Sequence, residues 1–308
     1  MFAGRSSVWR PLCREVVGVQ QLPSPLWSSF DALPPPAVGV HRYLLINQAA
    51  LKGQRALFSS LSKFECRPLF GQSAAACRDG ATPFVLRVDP TTPIRTIIRE
   101  LADAACYACA LTRIDTPSDI QTLTDALTRR CEVLLPDGVA MLLRYFDTRV
   151  FMSLLDVLSP EQIDSFLSCA SDWWYSDREG AMVPVRGTVR TASDVFSPPL
   201  TLSVAQEHAM IEASEPDAVI DLIASSGRHQ LFDIPYPQRY PIVVDLVYRA
   251  RQWGLEEIPD FAAFVTIALS KSNDFDVLPP WNELLPQVQA GELTFSAVLD
   301  RVRNLEET

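Results

Sequence analysis

The chain has 308 residues, of which 48% are hydrophobic and 21% charged, and its formal net charge at pH 7 is −10. This composition excludes intrinsic disorder and allows one large hydrophobic core or two smaller ones. The longest apolar candidate, 261–269, is much shorter than the roughly 20 residues of a membrane-spanning helix, so no membrane span is expected. No apolar segment follows the N-terminal arginines, so we expect a cytoplasmic protein without a secretory signal.

Residues 1–40 are rich in proline and predict an irregular leader before the fold begins. From 41 to 190, short apolar runs alternate with amphipathic helices. The predicted strands are 43–46, 84–88, 110–114, 133–135 and 139–146, and the predicted helices lie near 51–61, 94–105, 120–127, 150–158 and 160–167. This order predicts an α/β (α+β) lobe, in which a mixed sheet is flanked by helices.

The stretch 135–150 places charged residues inside an otherwise apolar run. Its Pro-Asp-Gly predicts a turn, and the strand that follows is apolar on both side-chain parities, so it is expected to be covered on both faces. Arg144 would then lie inside this strand, where its charge needs a partner, so Asp147 and Arg149 should form a paired cluster with it. These three residues are therefore predicted to form a structural cluster, and Arg144→Ala is expected to lower thermal stability.

The motif LRYFDTRV at 143–150 resembles a pattern of Leu-Arg, two aromatics, Asp-Pro-Arg and an aliphatic residue, with Thr148 in place of Pro. Three further stretches are similar to the same family: 43–49, 82–86 and 172–175. The first departs from the family pattern, which usually has an acidic residue and Gly where this chain has Asn47 and Gln48. The family is that of the effector chaperones, or adaptors, of the bacterial type VI secretion system.

The resemblance covers roughly residues 40 to 180 and implies a non-catalytic chaperone. Such a protein binds the N-terminal region of a toxic effector, keeps it soluble and helps to load it onto the spike tip protein of the secretion machine. The residues themselves support the lobes and the lack of a catalytic motif, whereas the cargo is implied by the resemblance alone.

The second part of the chain differs from the first in charge and pattern. Residues 191–200 predict a linker, and 201–308 show helical stripes only, so they predict an all-helical lobe in which Pro216, Pro241 and Pro259 lie near helix starts. Residues 191–308 carry 18 acidic and 7 basic side chains, whereas residues 1–190 carry 19 and 20. The acidic excess argues against a nucleic-acid partner and fits either solvated helix faces or a docking surface for a basic partner.

No motif predicts a catalytic residue, a cofactor or a metal ion. His41, His208 and His229 have no partners in a recognisable catalytic constellation, and the seven cysteines are expected to be reduced thiols. The spacing of Cys106 and Cys109 matches half of a redox or metal site, but no second pair accompanies it. Glu207, His208 and Glu212 could ligate a metal from one helix face, but a solvated acidic face is the favoured explanation of these residues.

Two aromatic groups are candidate partner contacts. Trp173, Trp174 and Tyr175 precede a turn and a second short strand at 182–185, and on a strand one tryptophan should face the core and the other outwards. The second group is predicted on a long interhelical loop and consists of Phe232, Tyr236 and Tyr240. Aromatic residues often dominate protein interfaces, and packing beneath the loop is the alternative.

Three functions remain open from the sequence. A chaperone would bind the effector's N-terminal part, whereas an immunity protein would bind the toxin's catalytic domain, where an acidic surface suits a basic nuclease. An enzyme is the third, because a pocket can assemble from residues that are distant in sequence.

Overall fold

The computed structural model describes residues 35–50, 64–71, 82–89, 108–185, 193–227 and 230–306. Within these ranges an antiparallel sheet with helices is followed by a helical region, which confirms the predicted α+β class. Three predicted features lie outside the described residues: most of the leader, and the helices near 51–61 and 94–105. None of the described helices is long and apolar enough to cross a membrane.

The strands form two sheets. They are β1 His41–Ile46, β2 Cys66–Pro68, β3 Phe84–Val88, β4 Leu111–Thr116, β5 Glu132–Leu134, β6 Ala140–Leu142, β7 Asp172–Ser176, β8 Met182–Pro184 and β9 Leu200–Thr201. The larger sheet has the order β2-β3-β1-β4-β7-β8, and every neighbouring pair is antiparallel. The smaller has the order β6-β5-β9, and its β5–β9 pair is parallel. Four of the five predicted strands are confirmed within a residue or two.

The described helices are α1 Ile120–Arg129, α2 Thr148–Val157, α3 Pro160–Leu167, α4 Val204–Ser225, α5 Tyr236–Gln252, α6 Ile258–Ser270, α7 Trp281–Gln289 and α8 Phe295–Glu306. Local sequence explains several of their starts. Asp119 accepts a hydrogen bond from the Thr122 backbone at the start of α1, and Ser159 and Ser203 each form a reciprocal capping box.

The fifth predicted strand, 139–146, is wrong beyond Leu142, where β6 ends. The Tyr145 hydroxyl donates to the Leu127 carbonyl at 2.7 Å and draws the chain inwards, and Asp147 then caps α2. Residues 143–147 therefore form a turn between strand and helix. The apolar pattern on both parities arises because exposed strand residues are followed directly by buried turn residues.

Two of the three prolines expected near helix starts lie inside helices. Pro216 is buried in α4 and Pro241 lies within α5, whereas Pro259 is in the first turn of α6 as predicted. A proline in a helix removes one backbone hydrogen bond, so packing of the surrounding helices must compensate for that loss here.

The buried side chains form two hydrophobic clusters. The first is built from both sheets and α1 to α3 and ends with Leu202, while Met210 packs against it from α4. The second begins with Val219, also on α4, and continues through α8. The two cores therefore meet along one helix. The irregular segment 193–199 returns to the first core, where Phe196 is buried.

Candidate functional site

A polar pocket lies where α2, the β7–β8 turn, α4 and the start of α5 approach one another, and its volume is about 400 Å³. We call it the seam pocket. Its charged lining residues are Arg144, Asp147, Arg149, Arg178, Asp217, Asp221 and Arg239, and its other polar lining residues are Asn47, Cys109, Tyr236 and Tyr240. The structure thus brings together six of the residues singled out in the sequence: Cys109, Arg144, Asp147, Arg149, Tyr236 and Tyr240.

Asp147 forms an ion pair with Arg149 at one wall of the pocket. It is 3% exposed and accepts hydrogen bonds at Oδ1 from the Arg149 backbone at 3.1 Å and from Arg149 Nε at 3.0 Å. Arg149 Nη2 donates to the other carboxylate oxygen at 2.7 Å. This hydrogen bonding raises the pKa of Arg149 above its ordinary value. One carboxylate therefore both caps α2 and fixes a guanidinium at the pocket wall.

Asp217 of α4 joins the helical region to the sheet. Arg178, in the turn between β7 and β8, donates to its two carboxylate oxygens at 2.8 and 2.6 Å, and Arg149 Nη1 lies 3.8 Å from Oδ1. The Arg178 guanidinium also lies 3.5 Å from the centroid of the Tyr240 ring. Burial lowers the pKa of Arg178, but Asp217 outweighs it and the pKa lies above its ordinary value.

Cys109 and Tyr236 both line the pocket, and the Cys109 thiol donates to the Asp177 carbonyl at 3.6 Å. Burial raises the pKa of the Cys109 thiol to about 11, and burial likewise raises the pKa of Tyr236 above its ordinary value. At neutral pH the thiol is therefore protonated and a poor nucleophile, and the phenol keeps its proton as a hydrogen-bond donor.

Sequence reasoning missed Arg178, Asp217, Asp221 and Arg239 of this site as functional candidates, and it also missed Asn47. Its backbone N–H donates to the Ala110 carbonyl at 2.9 Å, but neither polar atom of its buried side chain has a hydrogen-bond partner. An unsatisfied buried polar group costs roughly 1–3 kcal/mol. The sequence did offer one signal for Asn47: it is a polar residue that directly follows an apolar strand, 43–46, which is buried in the structure.

Arg144 departs most from its prediction. It lies in the turn after β6, is exposed, and lines the pocket. Among the described residues no carboxylate forms an ion pair with it, so the expected three-residue cluster is wrong for this member, while Asp147 and Arg149 pair with each other. The turn places the Arg144 side chain in solvent, where its charge needs no buried partner.

Arg144→Ala is now expected to change the free energy of unfolding by less than about 0.5 kcal/mol, because an exposed, unpaired side chain contributes little to stability. Urea denaturation measures this change. Asp147→Ala is the contrasting control, since it removes a helix cap and a buried ion pair and should cost about 2 kcal/mol or more. Equal losses for the two variants would contradict this placement of Arg144.

The first aromatic group lies on β7, outside the pocket lining. The predicted hairpin with β8 is confirmed, and the two tryptophans point to opposite faces of the sheet as predicted. Trp173 is 1% exposed, and its indole N–H donates to the Leu167 carbonyl at 2.9 Å. Trp174 is half-buried, and the Arg113 guanidinium lies 5.4 Å from the centroid of its ring. Tyr175 packs edge-on against Phe151 at 5.7 Å. Trp173 is therefore a core residue.

The second aromatic group does not lie on a long loop, so that prediction is wrong. Tyr236 and Tyr240 occupy the first turns of α5, and Phe232 lies in the 3-10 helix Gln230–Asp233. Pro237 occupies a first-turn position of α5, where its missing N–H costs nothing. The prolines that indicated a loop in the sequence therefore start a helix, and two tyrosines of that helix face the pocket.

An exposed apolar strand edge adjoins the pocket. In the described residues β6 pairs only with β5, and Val139, Met141 and Leu142 are 50%, 53% and 56% exposed. Leu143 N–H donates to the Cys131 carbonyl, so the N–H and C=O groups of Leu142 and Ala140 point away from β5. Only Leu143 separates Leu142 from Arg144. We call this surface, residues 139–142, the β6 edge.

The seam pocket is equipped for binding polar groups more than for proton transfer. Two of its three aspartates are held by arginines, its thiol is protonated, and no histidine is among its described lining residues. In the part of the chain that the structure describes, no three or more His, Cys, Asp or Glu side chains are grouped to hold a metal ion, and this includes Glu207, His208 and Glu212 on α4.

Part of the chain matches a family model. A family model described as "Domain of unknown function (DUF4123)" matches residues 42–165, a stretch that runs from β1 into α3 and contains the motif at 143–150. No curated protein and no solved structure matches this chain.

Proposed function

We propose that this chain is a non-catalytic adaptor that binds the N-terminal region of a type VI secretion effector, keeps it soluble and helps to load it onto the spike tip protein. The observation that carries the proposal is the β6 edge, an exposed apolar strand that leads directly into a polar pocket. The resemblance of the motif at 143–150 to effector chaperones supplies the kind of partner.

The β6 edge supports binding of an extended polypeptide. Outward N–H and C=O groups at Ala140 and Leu142 offer a new strand its hydrogen bonds, and the exposed side chains beside them offer apolar contact. Natural proteins usually protect such an edge with charges, proline or a covering segment, because an open edge promotes aggregation. An apolar edge that faces solvent therefore fits a strand-binding surface.

The chemistry of the seam pocket supports recognition without turnover. A nucleophilic thiol or a proton-transferring residue needs a pKa near the working pH, whereas burial moves the pKa of Cys109 to about 11. The Asp147–Arg149 and Asp217–Arg178 pairs fix the charged side chains in place. Such fixed donors and charges select a partner by fit.

An immunity protein is the second candidate, and the acidic excess of residues 191–308 favours it. Eighteen acidic side chains against seven basic ones would suit the basic active site of a nuclease. The two candidates differ in the part of the toxin that is bound.

The first test is affinity purification of the tagged full chain from its native bacterium, with mass spectrometry of the co-purifying proteins. Limited proteolysis of the complex then maps the bound segment. Recovery of one toxin-like protein held through its N-terminal region, with or without the spike tip protein, supports the adaptor. Capture through a catalytic domain would support immunity, and repeated purification without any protein partner would overturn both.

The β6 edge itself is tested with the double variant Met141→Lys, Leu142→Lys. Two charges on the edge should oppose strand addition and lower capture of the partner at least tenfold in a quantitative pull-down. Both side chains are about half exposed, so the melting temperature should change little. Leu305→Lys on α8, where Leu305 is 61% exposed, is the matched control and should capture normally. If the double variant captured the partner as well as the unaltered chain does, the β6 edge would not be the binding surface.

A further inference from the structure

We propose that the seam pocket binds one acidic residue of the partner polypeptide, with Arg144 pairing with its carboxylate and Asn47 with its peptide group. This inference deepens the proposed function and rests on it for the polypeptide nature of the partner. It assigns the pocket a ligand class, an aspartate or glutamate within a chain, and gives separate roles to two residues.

Charge is the first argument. The pocket lining contains four arginines and three aspartates, so it carries one excess positive charge. Asp147 holds Arg149 and Asp217 holds Arg178, whereas no described carboxylate forms an ion pair with Arg144. A single carboxylate bound at Arg144 would make the pocket electrically neutral. Arginine is also suited to this contact because its planar fork can bind both carboxylate oxygens.

The buried amide is the second and independent argument. Asn47 is 1% exposed and lines the pocket, yet both its Oδ1 and its Nδ2 are without hydrogen-bond partners. Buried polar groups are almost always paired in folded proteins, so an amide with neither partner indicates an incomplete site. The missing group must offer a donor and an acceptor, as a peptide unit does and a simple anion does not.

The position of the pocket beside the β6 edge is the third argument. Leu142 ends β6 and Arg144 follows two residues later, a span of at most about 7 Å. A strand paired with β6 that continues in the same direction would therefore bring its next residues to the pocket. Apolar residues of that strand would lie along the edge, and an acidic residue beyond them would meet Arg144.

The test uses the full chain and small blocked amino acids. The probe is N-acetyl-glutamate N-methylamide, and the comparison compounds are N-acetyl-glutamine N-methylamide and acetate, all at equal ionic strength. The melting temperature is followed as each compound is titrated at millimolar concentrations. We expect a saturable rise with the blocked glutamate and at least a tenfold weaker response to the other two.

Variants of the chain test whether the blocked glutamate binds at Arg144 and Asn47. Arg144→Gln should abolish the response, and Asn47→Ala should weaken it at least threefold, each judged against the melting temperature of the same variant without probe. Arg301→Gln, an exposed arginine on α8, is the matched control and should respond as the unaltered chain does.

Two results would overturn the inference. A response of Arg144→Gln equal to that of the unaltered chain would remove the arginine from the site, and equal responses to acetate and blocked glutamate would reduce the pocket to a general anion site. Neither result bears on capture of a partner through the β6 edge. A failed pull-down with an intact glutamate response would instead count against the proposed function alone.

Discussion

Asp194→Ala is expected to lower the free energy of unfolding by about 3–5 kcal/mol, because it leaves the Arg130 guanidinium buried without a counter-charge. The Arg130 side chain is 0% exposed, and its other hydrogen bonds go to neutral groups: Phe166 O at 2.6 Å, Ala126 O at 2.7 Å and Ser168 Oγ at 3.5 Å. Asp194 provides the only carboxylate described beside it, with Oδ2 3.1 Å from Nη1. Urea denaturation monitored by circular dichroism measures the loss.

Arg129→Ala is the matched control for Asp194→Ala. Arg129 donates to the same carboxylate at 3.0 Å, but its side chain is 49% exposed, so its removal should cost less than about 1 kcal/mol. If the Arg129 and Asp194 variants lost equal stability, the cost could not be assigned to the buried charge.

The Asp194 pair also makes stability depend on pH. Burial raises the pKa of Asp194, but the hydrogen bonds and charge of Arg130 outweigh it and lower the pKa to about 2, from an ordinary value of 3.8. Because the folded pKa is the lower one, the stabilisation is complete above about pH 4 and is lost as the pH falls towards 2. Asp194→Asn should lack this part of the acid destabilisation.

Asp115→Ala is expected to cost a similar 3–5 kcal/mol, since two guanidinium groups inside the larger sheet share this one carboxylate. Asp115 is 2% exposed and lies opposite Arg42 in the β1–β4 pair, where it accepts two hydrogen bonds at 3.0 Å each. Arg113, which is 1% exposed, donates to both oxygens as well. Burial raises the pKa of Asp115, yet these arginines outweigh it and the pKa lies below its ordinary value.

Thermal and urea denaturation of Glu65→Ala provide the comparison for Asp115→Ala. Glu65 pairs with Arg87 of the same sheet at 3.1 Å, but the two side chains are 50% and 34% exposed. Its loss should cost at most about 1 kcal/mol. A comparable loss for the two variants would mean that burial does not determine the strength of these pairs.

The sequence predicted those parts of the fold in which local pattern and burial agree. The run 43–46 is buried throughout in β1, and α3 begins at Ser159-Pro160, where the sequence predicted that helix to start. The prediction of a strand over 139–146 was wrong beyond Leu142 because apolar side chains occupy both an exposed strand edge and the buried turn that follows it. Periodicity does not distinguish an apolar residue that faces solvent from one that faces the core.

The site could be predicted only in fragments. The motif at 143–150 and the tyrosines of α5 were each singled out, but they are about 90 residues apart, and packing of α4 against both α2 and α5 brings them to one pocket. The Arg130–Asp194 pair joins residues 64 positions apart, and nothing in local sequence indicates such pairing. Asn47 was missed because an unsatisfied amide is visible only once its surroundings are known.

The position of helix α4 between the two cores affects how the seam pocket can bind a ligand. Its 22 residues span roughly 33 Å, its first half is fastened to α3 and the end of α2 through Gln206, and its second half belongs to the other core through Val219. Asp217, which both Arg149 and Arg178 approach, lies near the changeover. Both cores therefore hold α4, on either side of Pro216, and fix the helix that carries Asp217 at the pocket. We expect a ligand to bind without a large rearrangement of the two cores, so that affinity depends mainly on complementarity and little is lost to reorganisation.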